Sequence, residues 1–213
     1  MGKQRAKGDK MIGIVDYGLG NIHSVVNALN FLGIKSNLES KPENLKNYEK
    51  LILPGVGAFG DAMERLKNSA LDEAVCEFAS SGKYLLGVCL GLHLLFERGF
   101  EFGEHAGLGL LKGEVIRFNQ TRFKSPLKVP HMGWNTCEFS RQSTLNKGLK
   151  DSEYFYFVHS YHVCCDDEIT LARTFYGYDF TSAVAFNNIF GMQPHPEKSH
   201  DVGLKMLKNF VEM

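Results

Sequence analysis

One cysteine of the chain stands in a setting that suits a nucleophile. Residues 87–91, GVCLG, join the apolar run at residues 84–88 to a stretch with helical spacing. A sharp strand-to-helix turn strains the backbone of its central residue, and glycines two positions away let neighbouring chain approach without a Cβ clash. The N-terminus of the following helix also favours thiolate over thiol. Most buried free cysteines are inert, but this GxCxG setting predicts that Cys89 is catalytic.

A histidine near the end of the chain is the candidate base. His195 lies between Pro194 and Pro196, which restrict φ and disfavour a helix, so a rigid extended turn is expected. Glu197 follows two residues later, and such side chains project to the same side of an extended segment. Alone, this segment is more typical of a solvated surface loop. Together with Cys89 it predicts a nucleophile, base and acid triad, in which the carboxylate orients the imidazole.

A glycine-rich loop after another apolar strand is the candidate oxyanion hole. Gly55, Val56 and Gly57 follow the run at residues 51–53, so they should lie at the same sheet edge as the nucleophile. The flanking glycines let the Val56 peptide turn its N–H toward developing negative charge, and the N–H of Leu90 is the predicted second donor. By itself, PGVG is equally typical of an ordinary loop.

Strands and helices alternate in the first half of the chain and are expected to carry these residues. Continuously apolar strands linked by helices imply a parallel sheet that is covered on both faces. The second half is rich in short β-branched and aromatic runs, which either continue this sheet or add a smaller one. The predicted strands are 11–16, 51–53 and 84–88, and the predicted helices are 22–32, two or more stretches within about 60–80, 90–97 and 202–211.

Composition narrows the class of protein. Lys plus Arg and Asp plus Glu both total 24 among 213 residues, so no overall field favours nucleic acid or an anionic membrane. Five cysteines without CxxC spacing argue against a disulfide framework or a zinc site, and a reduced, cytoplasmic protein without metal is expected. Residues 1–10 are predicted to be a disordered leader or an expression remnant, and residues 11–213 to be one domain.

The segments PGVG, GVCLG and HPEKS, in this order, resemble the class I (triad) glutamine amidotransferases. IVDYGLGNIHSV, PGVGAFGDAM, GLGLLKGEVIRF, KVPHMGWN, YFVHSYH and GMQPHPEKSHDVGLKMLKNF are similar to glutaminase subunits of imidazole glycerol phosphate synthase. The resemblance covers residues 11–213. It implies a flavodoxin-like α/β fold, with a mostly parallel central sheet flanked by helices, that hydrolyses L-glutamine to glutamate and ammonia without a cofactor. It also implies a heterodimer in which ammonia passes into a (β/α)8 cyclase subunit for histidine biosynthesis.

The resemblance assigns roles motif by motif. Cys89 is the nucleophile, His195 the base and Glu197 its orienter. The other assigned residues surround the oxyanion (Gly55, Val56, Gly57, Leu90), contact glutamine (His93, Glu101, His159, Ser160, Tyr161) or face the cyclase (Asn21, His131, Trp134, Asn135, Lys198). Trp134, in a glycine-containing loop, is expected to be an interface anchor or, equally, a core residue.

Two positions depart from the family pattern. His93 stands where the family usually has a glutamine that contacts the substrate, and an imidazole does not offer the paired donor and acceptor of a carboxamide. Pro194 stands where an aromatic residue is usual. Neither change removes a member of the triad, so catalysis is expected to be retained.

Three other functions stay open from the sequence. Near relatives of this subunit supply ammonia to a sugar amidation enzyme of surface-polysaccharide synthesis, and the acceptor chemistry belongs to the partner. The altered positions 93 and 194 are also compatible with a non-catalytic binding subunit. A cysteine hydrolase acting on γ-glutamyl peptides is the third, although it has no need of PHMGWN.

Overall fold

The computed structural model describes residues 11–213, and the leader predicted for residues 1–10 lies outside the described residues. The described strands are β1 (Ile12–Val15), β2 (Ser36–Glu39), β3 (Lys50–Gly55), β4 (Tyr84–Cys89), β5 (Phe96–Gly99), β6 (His105–Ala106), β7 (Leu111–Arg117), β8 (His131–Phe139), β9 (Ser152–His159), β10 (Tyr161–Cys164), β11 (Thr170–Phe175), β12 (Asp179–Phe186) and β13 (Ile189–Met192). The helices are α1 (Ile22–Phe31), α2 (Pro42–Leu45), α3 (Phe59–Asn68), α4 (Leu71–Ser80), α5 (Leu90–Leu94) and α6 (His200–Glu212).

The first half, together with β13 from near the end of the chain, supplies the parallel part of the sheet. Its strand order is β2-β1-β3-β4-β13, and each neighbouring pair is parallel. This order is the flavodoxin-like one. Helices link β1 to β2, β2 to β3 and β3 to β4, whereas α5 and the strands β5 to β12 lie between β4 and β13. The predicted strands and parallel sheet are therefore confirmed. Since parallel strands end at one edge, the loops after β3, β4 and β13 meet there.

Helices cover both faces of this sheet, because the side chains of each strand alternate between two apolar clusters. Ile14, Ile52 and Leu86 face a cluster that includes α1 and α6. Leu51 and Leu85 face the other cluster, which includes α3 and α4. The predicted helical stretches within about 60–80 are α3 and α4, and the two-sided burial explains why the strands read as continuous apolar runs.

The remaining strands continue the same sheet in antiparallel pairing, except that β5 and β7 are parallel. β13 pairs with β12, and from β12 the network extends through β10 and β7 to β5 and β6. A branch leaves β12 through β11 and β8 to β9. Of the two arrangements open from the sequence, continuation of one sheet is the one observed.

Two expectations about local structure are wrong. The helix predicted over residues 90–97 ends at Leu94, and β5 begins at Phe96. The reason is tertiary pairing: the carbonyl of Leu95 accepts the N–H groups of Leu110 and Leu111, so the backbone is used across the sheet rather than along a helix. Trp134 lies in strand β8 and not in a loop, where it forms a ladder with Tyr156 of β9.

A buried lysine at the start of β3 contacts the last turn of α6. Lys50, at the start of β3, is 4% exposed, and its Nζ donates to the carbonyl oxygen of Val211 at 2.7 Å. The ammonium also lies 5.4 Å from the ring centre of Tyr84 and 6.0 Å from that of Phe210. The contact attaches the last turn of α6 to the start of the strand that leads into the PGVG loop. Within residues 11–213, no helix is both long and apolar enough to cross a membrane.

Candidate active site

Cys89 occupies a strained turn between β4 and α5. Its φ is +54°, a left-handed value that side-chain-bearing residues rarely adopt, and the helix begins at the next residue. A Cβ at Gly91 would sit 1.7 Å from the carbonyl oxygen of Leu53, and one at Gly87 would sit 2.6 Å from the carbonyl oxygen of Gly91. Both glycines are therefore required sterically, and the predicted turn geometry is present.

His195 comes from the turn after β13, which pairs with β4 in parallel register. Its Nδ1 lies 2.8 Å from Glu197 Oε1, and the two side chains are 3% and 2% exposed. Pro196 begins a single 3-10 turn that brings the carboxylate back to the ring. Because a carboxylate only accepts, the Nδ1 atom carries a proton and Nε2 is the atom left for proton exchange.

Two residues that the sequence did not indicate fix the position of His195. Its N–H donates to the carbonyl oxygen of Tyr156 at 2.9 Å, and the Ser199 hydroxyl donates to its carbonyl oxygen at 2.6 Å. The Ser199 Oγ also accepts the Tyr156 N–H at 3.0 Å. These bonds attach His195 to β9, more than 35 residues earlier in the chain. Of the two residues, only Ser199 belongs to a motif that the sequence had singled out, HPEKS.

The electrostatics of His195 favour an imidazolium. Burial lowers the pKa of His195, but its interactions with Cys89 and Glu197 outweigh this and raise the pKa to about 10. The Nε2 atom has no partner of hydrogen-bond geometry within residues 11–213, so its contact with the sulfur is looser than a formed hydrogen bond. A protonated ring beside the sulfur suits a thiolate nucleophile.

The PGVG loop lies beside the nucleophile as expected. Gly55 ends β3 and is the direct register partner of Cys89 in β4. Val56, which is 38% exposed, and Gly57, whose φ is +103°, continue into the cavity. Leu90, the predicted second oxyanion donor, lines the same cavity.

Tyr17, which sequence reasoning missed, lies beneath this loop. Its buried hydroxyl donates to the carbonyl oxygen of Pro54 at 2.9 Å, and a Cβ at Gly55 would sit 2.5 Å from the hydroxyl oxygen. Burial and the neighbouring Cys89 raise the pKa of Tyr17, so the hydroxyl stays protonated and remains a donor. The one available signal was its place in the DYGLGN segment.

All five residues that were predicted to contact the substrate line one cavity with Cys89 and His195. Its volume is about 290 Å³, near the lower end of the roughly 300–1,000 Å³ that is typical of small-molecule sites. Its lining includes Val56, Gly57, Cys89, Leu90, His93, Glu101, His159, Ser160, Tyr161 and His195, and also Pro130 and Val158, which were not predicted. The cavity can hold one small polar molecule against the sulfur.

Two polar residues of the cavity have part of their hydrogen-bonding capacity already used. His93 Nε2 lies 2.7 Å from Gln193 Oε1, and burial lowers the pKa of His93 to about 4, so the ring is neutral. Glu101 Oε2 accepts the N–H of Phe59, the first residue of α3, at 2.8 Å. His93 therefore donates to Gln193 and offers at most an acceptor at Nδ1, unlike the glutamine usual in the family.

The residues expected at a partner interface are spread over several elements. Trp134 is 47% exposed and stacks on His200, with ring centres 5.0 Å apart, and Lys198 is exposed. Asn21 precedes α1 and borders a small cavity behind the His195–Glu197 pair. The side chain of His131 is 3% exposed and is directed inward.

Asn135 is half-buried and has hydrogen-bond partners within the chain. Its amide donates to the carbonyl oxygen of Phe175 at 2.9 Å and lies 3.2 Å from His131 Nε2. Asn135 and His131 therefore have intramolecular partners, whereas Trp134 and Lys198 present exposed surface.

Comparison with known proteins identifies the family and relatives that cover nearly the whole chain. The family model described as "Glutamine amidotransferase class-I" matches residues 13–213. The chain is 58% identical over 203 residues to "Imidazole glycerol phosphate synthase subunit HisH" of Sulfurimonas denitrificans, covering 95% of this chain and 98% of that protein. The protein of the same name from Bacillus subtilis is 45% identical over 205 residues, covering 95% and 96%.

Solved structures support the fold alone, because their sequence identities are low. "Structure of PurLQS from Thermotoga maritima" matches with a TM-score of 0.74 and 19% identity, covering 96% of this chain and 99% of that one. "Crystal structure of glutamine amidotransferase" matches with a TM-score of 0.72 and 21% identity, covering 94% and 97%.

Proposed function

The chain belongs to the class I glutamine amidotransferase family, and from this membership we propose that it is the glutaminase subunit of an imidazole glycerol phosphate synthase in histidine biosynthesis. The observation that carries the chemistry is the meeting of a strained Cys89 and a Glu197-paired His195 on one cavity. The relatives of 45–58% identity over nearly the whole chain support the pathway.

The site geometry supports a thioester mechanism for L-glutamine hydrolysis. The Cys89 thiolate adds to the side-chain carboxamide carbon, and the oxyanion is received by N–H groups of Val56 and Leu90. His195 Nε2–H gives its proton to the leaving nitrogen, so ammonia departs as the C–N bond breaks and the thioester remains. His195 then takes a proton from water, whose oxygen attacks the thioester, and glutamate is released as the sulfur regains its starting state.

Glu197 acts on the imidazole and not on the substrate. Its Oε1 holds Nδ1–H at 2.8 Å, which keeps Nε2 directed at the sulfur and stabilises the cation formed during each half-reaction. His93, Glu101 and the segment 159–161 hold glutamine in this proposal, since they line the cavity around the sulfur. The cysteine labelled by a glutamine-mimicking electrophile should accordingly be Cys89.

The subunit name of the relatives supports a partner, which we propose is a (β/α)8 cyclase that receives the ammonia. Trp134 and Lys198 are the exposed candidates for its docking surface. A pull-down from the native cell is expected to recover a cyclase barrel, and recovery of a sugar amidation enzyme instead would move the chain to the alternative pathway. The cytoplasmic location stays a prediction.

The test of the chemistry is glutamate release from L-glutamine with the cognate cyclase present. Cys89→Ala is expected to abolish it, a loss of at least about 10⁴-fold, since no other group can form the thioester. The matched control is Cys164→Ala, which removes an exposed thiol far along the chain and should keep wild-type turnover. Equal activity of wild type and Cys89→Ala would overturn the proposal, as would an absence of turnover in the wild-type complex.

A further inference from the structure

Three polar side chains form a hydrogen-bonded chain behind one wall of the cavity. Asn135 Nδ2 lies 3.2 Å from His131 Nε2, and His131 Nδ1 lies 2.9 Å from His159 Nε2. The other ring nitrogen of His159, Nδ1, lies 2.8 Å from the carbonyl oxygen of Tyr161. The chain runs from strand β8 through the end of β9 to the start of β10, and its last two residues line the cavity.

Backbone groups fix the direction of the chain at its Asn135 end. Asn135 Oδ1 accepts the N–H of Thr136 at 2.8 Å, and Nδ2 donates to the carbonyl oxygen of Phe175 at 2.9 Å. A backbone N–H only donates and a carbonyl only accepts, so the orientation of this amide is determined. Asn135 therefore presents an N–H to His131, whose Nε2 must accept.

The same reasoning applies at the other end. The carbonyl oxygen of Tyr161 cannot donate, so His159 Nδ1 carries the proton and His159 Nε2 is an acceptor. His131, which accepts at Nε2, carries its proton on Nδ1 and donates to that acceptor. The proton positions at the two ends were deduced independently of each other. Together they place one hydrogen in each of the three contacts.

This arrangement requires both rings to be neutral. Burial lowers the pKa of His131 to about 4, and burial with the neighbouring His131 holds that of His159 well below 6.5. A proton added to His131 would face the N–H of Asn135, and one added to His159 would face the N–H of His131. Neutral rings with defined tautomers are thus the state in which every contact is satisfied.

We propose that Asn135, His131 and His159 form a one-directional hydrogen-bond chain that positions the Ser160–Tyr161 backbone as the glutamine-binding wall of the cavity. The wall is held on its other side as well, since the carbonyl oxygen of Ser160 accepts the N–H of Phe118 at 3.0 Å. The three side chains are positioning residues, and none of the proposed chemistry passes through them. The choice of glutamine as the ligand rests on the proposed function, whereas the tautomers and their effect on the backbone do not.

The first test is the tautomer of each buried histidine, read from ¹⁵N NMR of the full-length chain near pH 7. His131 and His159 are expected to be neutral and protonated on Nδ1. His93, whose Nε2 faces the oxygen of Gln193, provides a contrast in the same spectrum because it should be protonated on Nε2. A His159 protonated on Nε2, or a charged His131, would overturn the proposal.

The second test uses two substitutions of one residue. His131→Asn keeps an N–H donor near the position of Nδ1, whereas His131→Leu fills the space of the ring and has no donor. In the Leu variant we expect displaced backbone amide signals of Ser160 and Tyr161. Binding of L-glutamine is measured in a Cys89→Ala background, which prevents turnover. There the Leu variant should have an about tenfold higher dissociation constant, because a buried acceptor on His159 loses its donor.

The Asn variant is expected to stay within about twofold of the parent, since the donor to His159 is retained. A role limited to filling space predicts the reverse order, because leucine matches the apolar surroundings better than asparagine. Identical amide signals in the Leu variant and the parent, or equal effects of Leu and Asn, would therefore overturn the proposal.

His162 provides a matched control from the same aromatic cluster. Its ring packs on Phe118, with centres 4.8 Å apart, much as His159 does at 5.2 Å, but it contacts Val163 and Tyr178 rather than the chain. His162→Leu in the Cys89→Ala background should leave the dissociation constant for L-glutamine within about twofold of the parent, and an increase equal to that of His131→Leu would count against the chain. If the tautomers and amide signals behave as expected while L-glutamine fails to bind the parent, the substrate assignment falls and the positioning role stands.

Discussion

The two sides of the active site are held in place by different kinds of force. On the nucleophile side, the position of Cys89 is imposed by backbone sterics: φ is +54°, and Gly87 and Gly91 leave no room for a methyl group. On the base side, His195 is held by side-chain and backbone hydrogen bonds to Glu197, Tyr156 and Ser199. The position of Cys89 should therefore be lost when an atom is added to a neighbouring glycine. The position of His195 should be lost when a hydrogen-bond donor or acceptor is removed.

The two kinds of constraint also differ in their sensitivity to pH. The turn at Cys89 is fixed by contacts of Gly87 and Gly91 with backbone atoms, and a steric contact of this kind does not titrate. The chain from Asn135 to His159 lies in the second half and depends on neutral rings. The two halves of one sheet therefore respond to different stresses, and each of the following experiments applies one of them.

The largest effect is expected from one added methyl group on the nucleophile side. In Gly91→Ala the new Cβ would sit 1.7 Å from the carbonyl oxygen of Leu53, a backbone atom that cannot move aside. We expect a loss of about 4–5 kcal/mol in the free energy of unfolding, measured by denaturant titration. Gly82→Ala is the control: its φ is +82° but no atom lies within 4 Å of the new Cβ, so only about 1 kcal/mol should be lost. If the two variants lost the same free energy of unfolding, steric contacts at Gly91 would not be what positions Cys89.

On the base side, an equally small change should affect activity and not folding. Glu197→Gln keeps the shape of the side chain and removes the charge that holds the Nδ1–H of His195. We expect an about 10³-fold lower kcat for glutamine hydrolysis, because the amide can also donate and so supports the wrong tautomer. The pKa of His195, followed by NMR, should fall from about 10, since burial would no longer be opposed as strongly. An unchanged kcat would remove Glu197 from the triad.

The smallest of these effects is a difference in acid sensitivity. The folded-state pKa of His131 is about 4, below 6.5, so the unfolded chain binds more protons between these values and stability is lost as pH falls through that range. His159 and the ring of Tyr176, 4.0 Å away, are the titratable neighbours. Between pH 7 and pH 5, wild type should lose about 2 kcal/mol more stability than His131→Asn.

Hydrogen exchange locates that loss within the sheet. At pH 5, β8 and β9 should lose amide protection before β1 and β4, because the titrating rings lie behind the antiparallel strands. Simultaneous loss in both regions would show that the two sides are not separable in this way.

The same contrast explains how far the sequence could be interpreted. Steric requirements leave a local trace, because only glycine satisfies them, and GVCLG and PGVG therefore located both the strained turn at Cys89 and the loop beside it. The continuous apolar runs of β1, β3 and β4 were equally visible, since burial on two faces requires them.

Hydrogen-bond partners leave no such trace. Tyr156 contacts His195, and Gln193 contacts His93, yet nothing in their local sequence specifies a partner so distant along the chain. His131 and Asn135 were assigned to a partner's surface by resemblance, whereas the contact of His131 with His159 follows from their pairing across β8 and β9. The end of α5 was missed for the same reason, because pairing across the sheet decides it.

The ammonium of Lys50 has a consequence for anyone who would re-engineer this chain. It joins β3 to the carbonyl of Val211, so the strand ending in PGVG and the helix following the HPEK turn share an anchor on the side of the sheet away from the sulfur. A fusion, a tag or a circular permutation that unravels the final turn of α6 would release both supports at once. Such a protein could keep every catalytic side chain and still lose their alignment.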